Sequence, residues 1–373
     1  MRIYIGACGI GLGHAGQMLC VAQEMKGDEI LFSSYNRAVA YLRKEGHEVF
    51  ESPAIGWRET DGAPDATLTL IGVVPSMFQS LRQIKAEVGA IRKFRPDIVL
   101  SDGRYSTIVA ARRCRVPFAL VTHQISFRFP EMPFRGLWER STTRLNCIYL
   151  SDKRILIPDM PPPDSICSAS MRLKGELDIE YVGFVVRPLP EALPFPQEAK
   201  RRLGFGDGPL VYAAISGSTT KLVESLAGGL KKTGLDSLIV LGKPDGKDMR
   251  EDGKVKVVPW LEERALALRA ADVIITRGGH RTLSEIAMHG KPALVVPQPS
   301  QPEQDINAEG FEALGSCIVL REETLDASKV ASSVGKLIDD SAYRNKAKAL
   351  AGRAAKLDGA KNIAQIARKL DRA

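Results

Sequence analysis

The sequence contains no run of 18 uninterrupted apolar residues, which excludes a transmembrane helix. Its opening segment is broken by Gly6, Gly9, Gly11, Gly13, His14, Gly16 and Gln17, so it lacks the continuous apolar core of a secretory signal. Cysteine is scarce. The six residues Cys8, Cys20, Cys114, Cys147, Cys167 and Cys317 are scattered and form no Cys-x-x-Cys pair. This argues against a disulfide scaffold or a zinc site and makes the cytoplasm the expected compartment. No G-x-x-x-x-G-K-[ST] loop is present, which excludes P-loop ATPase chemistry. No Asp-x-Asp pair closes a strand and no His/Cys cluster occurs, so neither an obligatory metal nor a cofactor is expected.

What is present is a chain of 373 residues, 44% hydrophobic and 26% charged, the balance of a globular protein with two domains of ordinary size. Short β-branched runs alternate with helical patterns. Strands are expected at Ile3–Ala7, Ile30–Ser33, Ile98–Ser101, Phe118–Thr122 and Arg154–Ile157 in the first half. In the second half they are expected at Leu210–Ile215, Ser237–Leu241, Lys256–Val258, Val273–Thr276, Ala293–Val296 and Cys317–Leu320. Helices are expected at Ala15–Met25, Met77–Phe94, Leu222–Lys232, Arg281–His289 and Glu303–Leu314. The alternation predicts an α/β protein with two doubly wound parallel-sheet domains. Two proline-rich stretches compete as the hinge, Pro158–Pro163 and the run through Pro188, Pro190, Pro194 and Pro196. The second is longer and central. It places a linker at 187–197 between an N-terminal domain (1–186) and a C-terminal domain (198–373). A last helix rich in Ala, Lys and Arg is expected to pack back on the N-terminal domain.

The net charge of +8 is concentrated: residues 82–154 hold 15 Lys/Arg against six Asp/Glu. Such a segment meets nucleic acid, an anionic membrane or a phosphorylated ligand, or is an idle solvated face. No nucleic-acid-binding motif accompanies it. Helix Met77–Phe94 places Phe78, Leu81, Ile84, Val88, Ile91 and Phe94 on one side, flanked by Arg82, Lys85, Arg92 and Lys93. The loop Phe127–Arg135 and Trp138 interleave aromatics with arginine. Both suit an anionic bilayer surface; the alternative is a stripe that packs the core.

Two glycine loops carry the chemistry. After the first strand, Cys8-Gly9-Ile10-Gly11-Leu12-Gly13-His14-Ala15-Gly16 opens a helix, whose N-terminus offers unpaired N–H groups. Gly11, Gly13 and Gly16 fit a dinucleotide fingerprint, but several residues separate them from the strand. The next strand ends in Ser33-Ser34-Tyr35 with no ribose-binding acid, although Arg37 suits a 2′-phosphate. His14 faces the crevice where such sheets bind ligands and is a candidate general base; a helix cap is its alternative. Asp102 and His123 also lie at strand ends and are candidates to orient His14 or touch an acceptor. In the second half, Arg277-Gly278-Gly279-His280-Arg281-Thr282-Leu283-Ser284-Glu285 follows strand Val273–Thr276, a second anion site at a helix start. Glu285, one turn after Arg281, suits a ribose diol; its alternative is an i, i+4 ion pair with Arg281. Glu303-Gln304-Asp305-Ile306-Asn307 supplies groups that bond sugar hydroxyls.

With these residues on view, the chain resembles GT-B-fold, nucleotide-sugar-dependent glycosyltransferases: the MurG-type N-acetylglucosaminyltransferases, their archaeal relatives and, more distantly, the UDP-glucuronosyl/glucosyltransferases. The likeness covers most of the chain. It is strongest through Ile275-Thr276-Arg277-Gly278-Gly279, Ser284-Glu285-Ile286-Ala287, Gly290-Lys291-Pro292, Val296-Pro297, Glu303-Gln304 and Asn307-Ala308. It implies two Rossmann-like domains facing a central cleft and, by resemblance, assigns the site. Glu285 would bind the uridine ribose, and Gly278, Gly279, His280, Arg281 and Thr282 the diphosphate, with Arg277 standing where related enzymes use histidine. Glu303 and Gln304 match donor-sugar positions. Trp260 and Leu261 match the region that receives uracil. Ser216, Gly217 and Ser218 match a second diphosphate loop without its usual Gly-Gly-Ser-x-Gly. The Gly13-His14 element matches an acceptor loop, departing from Gly-Gly-x-Gly-Gly-His in its spacing, with Gly11, Gly13, Asp102 and His123 as acceptor-binding candidates and His14 as catalytic base.

The implied reaction is inverting, metal-independent transfer of N-acetylglucosamine or another hexose from a UDP-sugar to a lipid-linked hydroxyl, by a cytoplasmic enzyme peripheral to the membrane. Three other readings compete. A UDP-sugar 2-epimerase of the same fold would interconvert the donor alone. An NADP-dependent oxidoreductase would use Gly11, Gly13, Gly16 and Arg37. A basic binding module rests on charge only.

Overall fold

The computed structural model describes the chain except residues 56–58, 61–62, 65–72, 127, 130–132, 151–153, 172–176, 245, 248, 300 and 371–373. Its internal contacts divide it into two units. The first joins Met1–Pro161, Ser170–Val185 and Leu357–Ala373; the second joins Pro162–Ala169 and Val186–Lys356.

The first unit runs β1 (Arg2–Ala7), α1 (Gly13–Gln23), β2 (Glu29–Ser34), α2 (Arg37–Lys44), β3 (Glu48–Glu51), α3 (Val73–Phe94), β4 (Ile98–Asp102), α4 (Tyr105–Cys114), β5 (Phe118–Val121), α5 (Arg135–Leu150), β6 (Ile155–Ile157) and β7 (Ile179–Tyr181). The strands form one parallel sheet in the order β3-β2-β1-β4-β5-β6-β7. Strands covered by helices on both faces must be apolar almost throughout, and β1 and β4 are. Ile3, Ile5, Met18, Leu19, Ile98 and Leu100 form the core together with Ile363, Ala364 and Ala367 of the last helix of the chain.

The second unit runs α6 (Pro196–Arg202), β8 (Leu210–Ala214), α7 (Thr220–Thr233), β9 (Asp236–Val240), β10 (Arg250–Asp252), β11 (Val255–Val258), α8 (Arg264–Ala270), β12 (Val273–Thr276), α9 (His280–His289), β13 (Ala293–Val295), α10 (Pro302–Ala313), β14 (Cys317–Val319), α11 (Ala327–Asp339) and α12 (Ser341–Ala354). The terminal helix α13 (Gly359–Leu370) belongs to the first unit. The second sheet is ordered β10-β11-β9-β8-β12-β13-β14 and is parallel apart from the exposed, charged edge strand β10. Setting β10 aside, the two sheets repeat one winding. Each reverses direction beside its first strand, between β1 and β4 and between β8 and β12.

Every strand expected from the sequence is present, its ends shifted by no more than about one residue. Of the strands in the two seven-stranded sheets three were not anticipated, β3, β7 and β10, and neither was the separate antiparallel pair Glu59–Thr60 and Ala63–Pro64. Each is short or largely polar and carries no β-branched run. The expected linker is not wholly extended, since Pro190–Ala192 makes a 3-10 turn and Pro196 opens α6. The apolar stripe of α3 divides between the two alternatives. Ile91 and Phe94 are buried and Val88 half-buried against Tyr4, Val99, Ala110 and Ala111, so its C-terminal half belongs to the core. Phe78 and Leu81 are exposed. Of the aromatic loop, Phe127, Pro130, Glu131 and Met132 lie outside the described residues, while Phe134, Leu137 and Trp138 are exposed. Among the described residues no helix is long and apolar enough to cross a membrane.

Candidate active site

In an open parallel sheet, ligands bind beyond the C-terminal strand ends where the winding reverses. In the first unit that point lies between β1 and β4, whose pairing sets Ala7 beside Asp102. The chain leaves β1, passes the exposed Gly11 and Gly13 and enters α1, which begins earlier than expected and so carries His14 in its first turn. His14 Nδ1 stands 2.9 Å from Asp102 Oδ1. Gln17, one turn further along α1, donates to Asp102 Oδ2 at 2.9 Å. Asp102 is fully buried, whereas the His14 side chain is 25% exposed. A carboxylate can only accept, so the contact places a proton on His14 Nδ1, and in the neutral imidazole Nε2 is then the acceptor nitrogen. His123, at the end of β5, stacks on the His14 ring with centroids 5.9 Å apart. Gly103 adopts φ +63°, and a Cβ there would lie 3.0 Å from His14 Cε1, so glycine satisfies both the turn and the closeness of the imidazole. The three titratable residues at these strand ends therefore form one cluster, with Asp102 orienting His14.

The corresponding point of the second unit lies between β8 and β12. Two helices begin there, and they differ. The first turn of α7 is capped by Thr219, whose Oγ1 accepts from Leu222 N at 3.2 Å. Helix α9 starts at Gly279 with no side-chain cap, leaving its first N–H groups and positive dipole end for an anion. Gly278 takes φ +90°, and a Cβ would lie 3.1 Å from the Gln304 carbonyl oxygen, so the loop passes too close to α10 for any larger residue. Asn307 donates to the Gly278 carbonyl at 3.3 Å, and Gln304 Oε1 accepts from Gln298 N at 2.8 Å. Asn307 thus holds the glycine loop rather than reaching out for a sugar hydroxyl. Its amide also lies 3.5 Å from Glu303 Oε1.

Glu285 is 5% exposed and gripped from two sides. Arg264, at the start of α8, donates to Glu285 Oε1 at 3.1 Å, lies 2.5 Å from Oε2 as an ion pair, and reaches Thr282 Oγ1 at 3.0 Å. Arg281 Nε lies 3.3 Å from Glu285 Oε1, so the i, i+4 contact is also made. Burial pushes the Tyr212 hydroxyl up, and that hydroxyl also meets Arg264. The two arginines flanking the loop are not equivalent. Arg277 is 5% exposed and pairs with Glu322 at 2.6 Å, so its charge is matched inside the protein and Arg281 is the more accessible one. Burial lowers the Arg277 pKa, opposed by that carboxylate. Glu322 Oε1 also accepts from Thr219 at 3.0 Å, bracing the loop after β8 against the loop after β12. Ser218 turns its hydroxyl onto the Ile215 carbonyl at 2.5 Å. Gly217 adopts φ +71°, and Ser216 packs against Gly242. Trp260 and Leu261 are half-buried just beyond β11, and His280 is buried at the head of α9.

Comparison with known proteins turns this geometry into a family. Residues 221–365 match the Glycosyltransferase family 28 C-terminal domain, and residues 1–141 match Glycosyl transferase family 1. The fold is that of the GT-B glycosyltransferases, and each half of the chain matches a glycosyltransferase family model. An uncharacterized glycosyltransferase of Methanosarcina acetivorans is 26% identical, covering 99% of this chain and 98% of that one. A UDP-N-acetylglucosamine--N-acetylmuramyl-(pentapeptide) pyrophosphoryl-undecaprenol N-acetylglucosamine transferase of Nocardioides sp. is 28% identical over 70% of each chain. Among solved structures, the glycotransferase of kitacinnamycin superposes with a TM-score of 0.73 at 15% identity, covering 99% of this chain and 98% of its own. A Streptomyces glycosyltransferase complexed with thymidine diphosphate gives 0.67 at 16%, covering 99% of both chains.

Several residues of this glycosyltransferase's site escape a reading of sequence. Gln17 is the exception, since its i+3 spacing from His14 puts both on one helix face. Arg264 lies on a different helix from Glu285, and Glu322 follows the last strand of the sheet. Neither carries a local signal.

Proposed function

We propose that this glycosyltransferase moves N-acetylglucosamine or another hexose from a UDP-sugar to a hydroxyl of a lipid-linked acceptor, with inversion and without a metal. The observation that carries the reading is the hydrogen bond from His14 Nδ1 to buried Asp102, which leaves Nε2 as a base of defined tautomer. A hydroxyl that gives its proton to Nε2 attacks the anomeric carbon from the face opposite the departing diphosphate. The C1–O bond to UDP breaks as the new glycosidic bond forms, and the configuration inverts. The charge that develops on UDP meets the uncapped N-terminus of α9 and Arg281, fixed donors of the kind that stabilise a leaving group. Glu285, its carboxylate set by Arg264, receives the ribose hydroxyls.

The lipid-linked acceptor and a peripheral position on the inner face of the cell membrane are supported by the surface of the first domain. Phe134, Leu137, Trp138 and Leu145 are exposed within the basic segment, and Phe78 and Leu81 just before it, a mixture that inserts apolar groups among anionic headgroups. Flotation with anionic vesicles at low salt checks this part, and a protein left at the bottom of the gradient refutes it.

The deciding experiment is calorimetric titration of UDP, without added metal, into the wild type and Glu285→Ala. Micromolar binding, about −8 kcal/mol, that largely disappears in the variant is the expected result. Binding of thymidine diphosphate but not UDP would move the donor to another base. Binding of NADP alone would overturn the reading.

A further inference from the structure

The described mechanism makes no use of a buried, heavily hydrogen-bonded ion pair in the first domain. Arg104, one residue beyond the Gly103 turn, is 3% exposed and sends its guanidinium back into the sheet. Nη1 donates to the Ser33 carbonyl and hydroxyl, both at 2.9 Å. Nη2 donates to Ser52 Oγ at 3.0 Å and to Glu87 Oε1 at 2.7 Å. Glu87, projecting from α3, is fully buried and accepts three further hydroxyls: Ser33 at 2.6 Å, Tyr4 at 2.8 Å and Thr107 at 3.4 Å. Burial alone would raise the Glu87 pKa; Arg104 and these hydroxyls outweigh it and hold the carboxyl below its usual range.

The loop leading to His14, the end of β2 and the turn carrying Asp102 are all tied to this pair. The Arg104 carbonyl accepts from Ser101 Oγ at 2.6 Å, closing the turn Ser101-Asp102-Gly103-Arg104 that bears Asp102. The guanidinium lies over the Tyr35 ring, 5.5 Å from its centre. Tyr35 in turn contacts Cys8 Sγ through its hydroxyl at 3.3 Å and packs against Gly9, where a Cβ would sit 2.7 Å from the ring. Cys8 N then donates to the Asp102 carbonyl at 3.0 Å. Thus the loop leading to His14, the end of β2, helix α3 and the turn carrying Asp102 converge on one guanidinium. A buried ion pair contributes little net stability, and one recognised use for it is to select a single arrangement of the elements it joins.

We propose that Arg104 and Glu87 are the positioning residues of the His14–Asp102 pair, holding Asp102 where it keeps the His14 proton on Nδ1. The proposal rests on the reading of His14 as the base. Arg104 does not touch the substrate; it acts through the turn, and its effect is read at His14 itself.

Removing one partner alone strands the other charge in the core, so the informative variant is Arg104→Gln/Glu87→Gln, which keeps hydrogen-bonding groups and no charge. Nitrogen-15 histidine NMR on the full chain, with the His14 signals identified by their absence in His14→Ala, reads the tautomer directly. The wild type is expected to show the Nδ1-protonated form. The folded double variant is expected to shift toward the Nε2-protonated form that free imidazole prefers, and Arg104→Lys to lie between. Turnover should fall about 100-fold, the order expected when a reacting group is misplaced by about 1 Å, with UDP affinity unchanged. An unaltered His14 tautomer in the double variant, with Asp102→Asn shifting it, overturns the proposal. Transfer that survives in His14→Ala removes the base assignment instead, and the tautomer comparison still decides the positioning role.

Discussion

Between β1 and β4 the first domain sets one buried carboxylate against one partly exposed imidazole, an arrangement that can gain and lose a proton. Between β8 and β12 the second domain sets Glu285 and Glu322 against Arg264, Arg281 and Arg277, around a helix end without a cap. The strand order is the same on both sides. What differs is the length and composition of the loops that leave the strands. Under the proposed function the same switch point serves proton transfer in one domain and anion binding in the other. Winding decides where a ligand goes, and a few side chains decide what the ligand experiences.

The sharpest way to break this contrast is Asp102→Asn. The amide cannot act as a pure acceptor for His14 Nδ1, so turnover is expected to fall by about 10² to 10⁴, the range assigned to general-base catalysis. UDP affinity, a property of the other domain, should not move. An equal loss in both measurements would mean that the two sites do not divide the work as described. A smaller effect is expected from Arg264→Met, which leaves the Glu285 carboxylate with Arg281 alone. Losing a charged hydrogen-bond partner costs about 1.5–3 kcal/mol, so UDP binding should weaken by about ten- to a hundredfold. Tautomer and pH dependence at His14 should stay as in the wild type.

The smallest effect expected at neutral pH concerns stability rather than activity. His289, at the end of α9, is buried near Lys291, Arg269 and Arg264, and burial reinforced by those cations lowers its pKa to about 3. The unfolded chain binds that proton near pH 6.5 and the folded chain resists it. Stability is therefore lost as pH falls from about 6.5 toward 3, by about 1.4 kcal/mol per pH unit from this site. His289→Leu should flatten the acid slope of the thermal midpoint while leaving the midpoint near pH 7.5 little changed. An identical slope in both proteins would show that His289 becomes protonated without penalty.

Much of this was readable from the chain. Strands buried on both faces announce themselves as unbroken apolar runs, so the inner strands of the two sheets are legible to within about a residue, while the short or polar β3, β7 and β10 are not. Residues immediately after such strands were flagged as ligand-facing, which singled out His14, Asp102, Arg277 and Gly278. Register was not readable. Only the pairing of Ala7 with Asp102 brings His14 and its carboxylate together across 88 residues. Partners arriving from another element were equally hidden, as with Arg264 on Glu285 and Glu322 on Arg277. The apolar face of α3 shows a different limit. Six apolar residues at helical spacing look alike in sequence, yet Ile91 and Phe94 are buried and Phe78 and Leu81 are exposed. Periodicity reports a face and not what covers it.

The last helix separates the order in which this protein is made from the order in which it can be finished. Ile363, Ala364 and Ala367 of α13 complete the core formed by β1, α1 and β4, although about 260 to 360 residues separate them along the chain. A ribosome must therefore deliver the entire second domain before the first can close its hydrophobic interior. Until then Met18, Leu19 and Ala22 face solvent or a chaperone. A fragment ending at Lys356 would contain every strand of both sheets and still present that apolar groove.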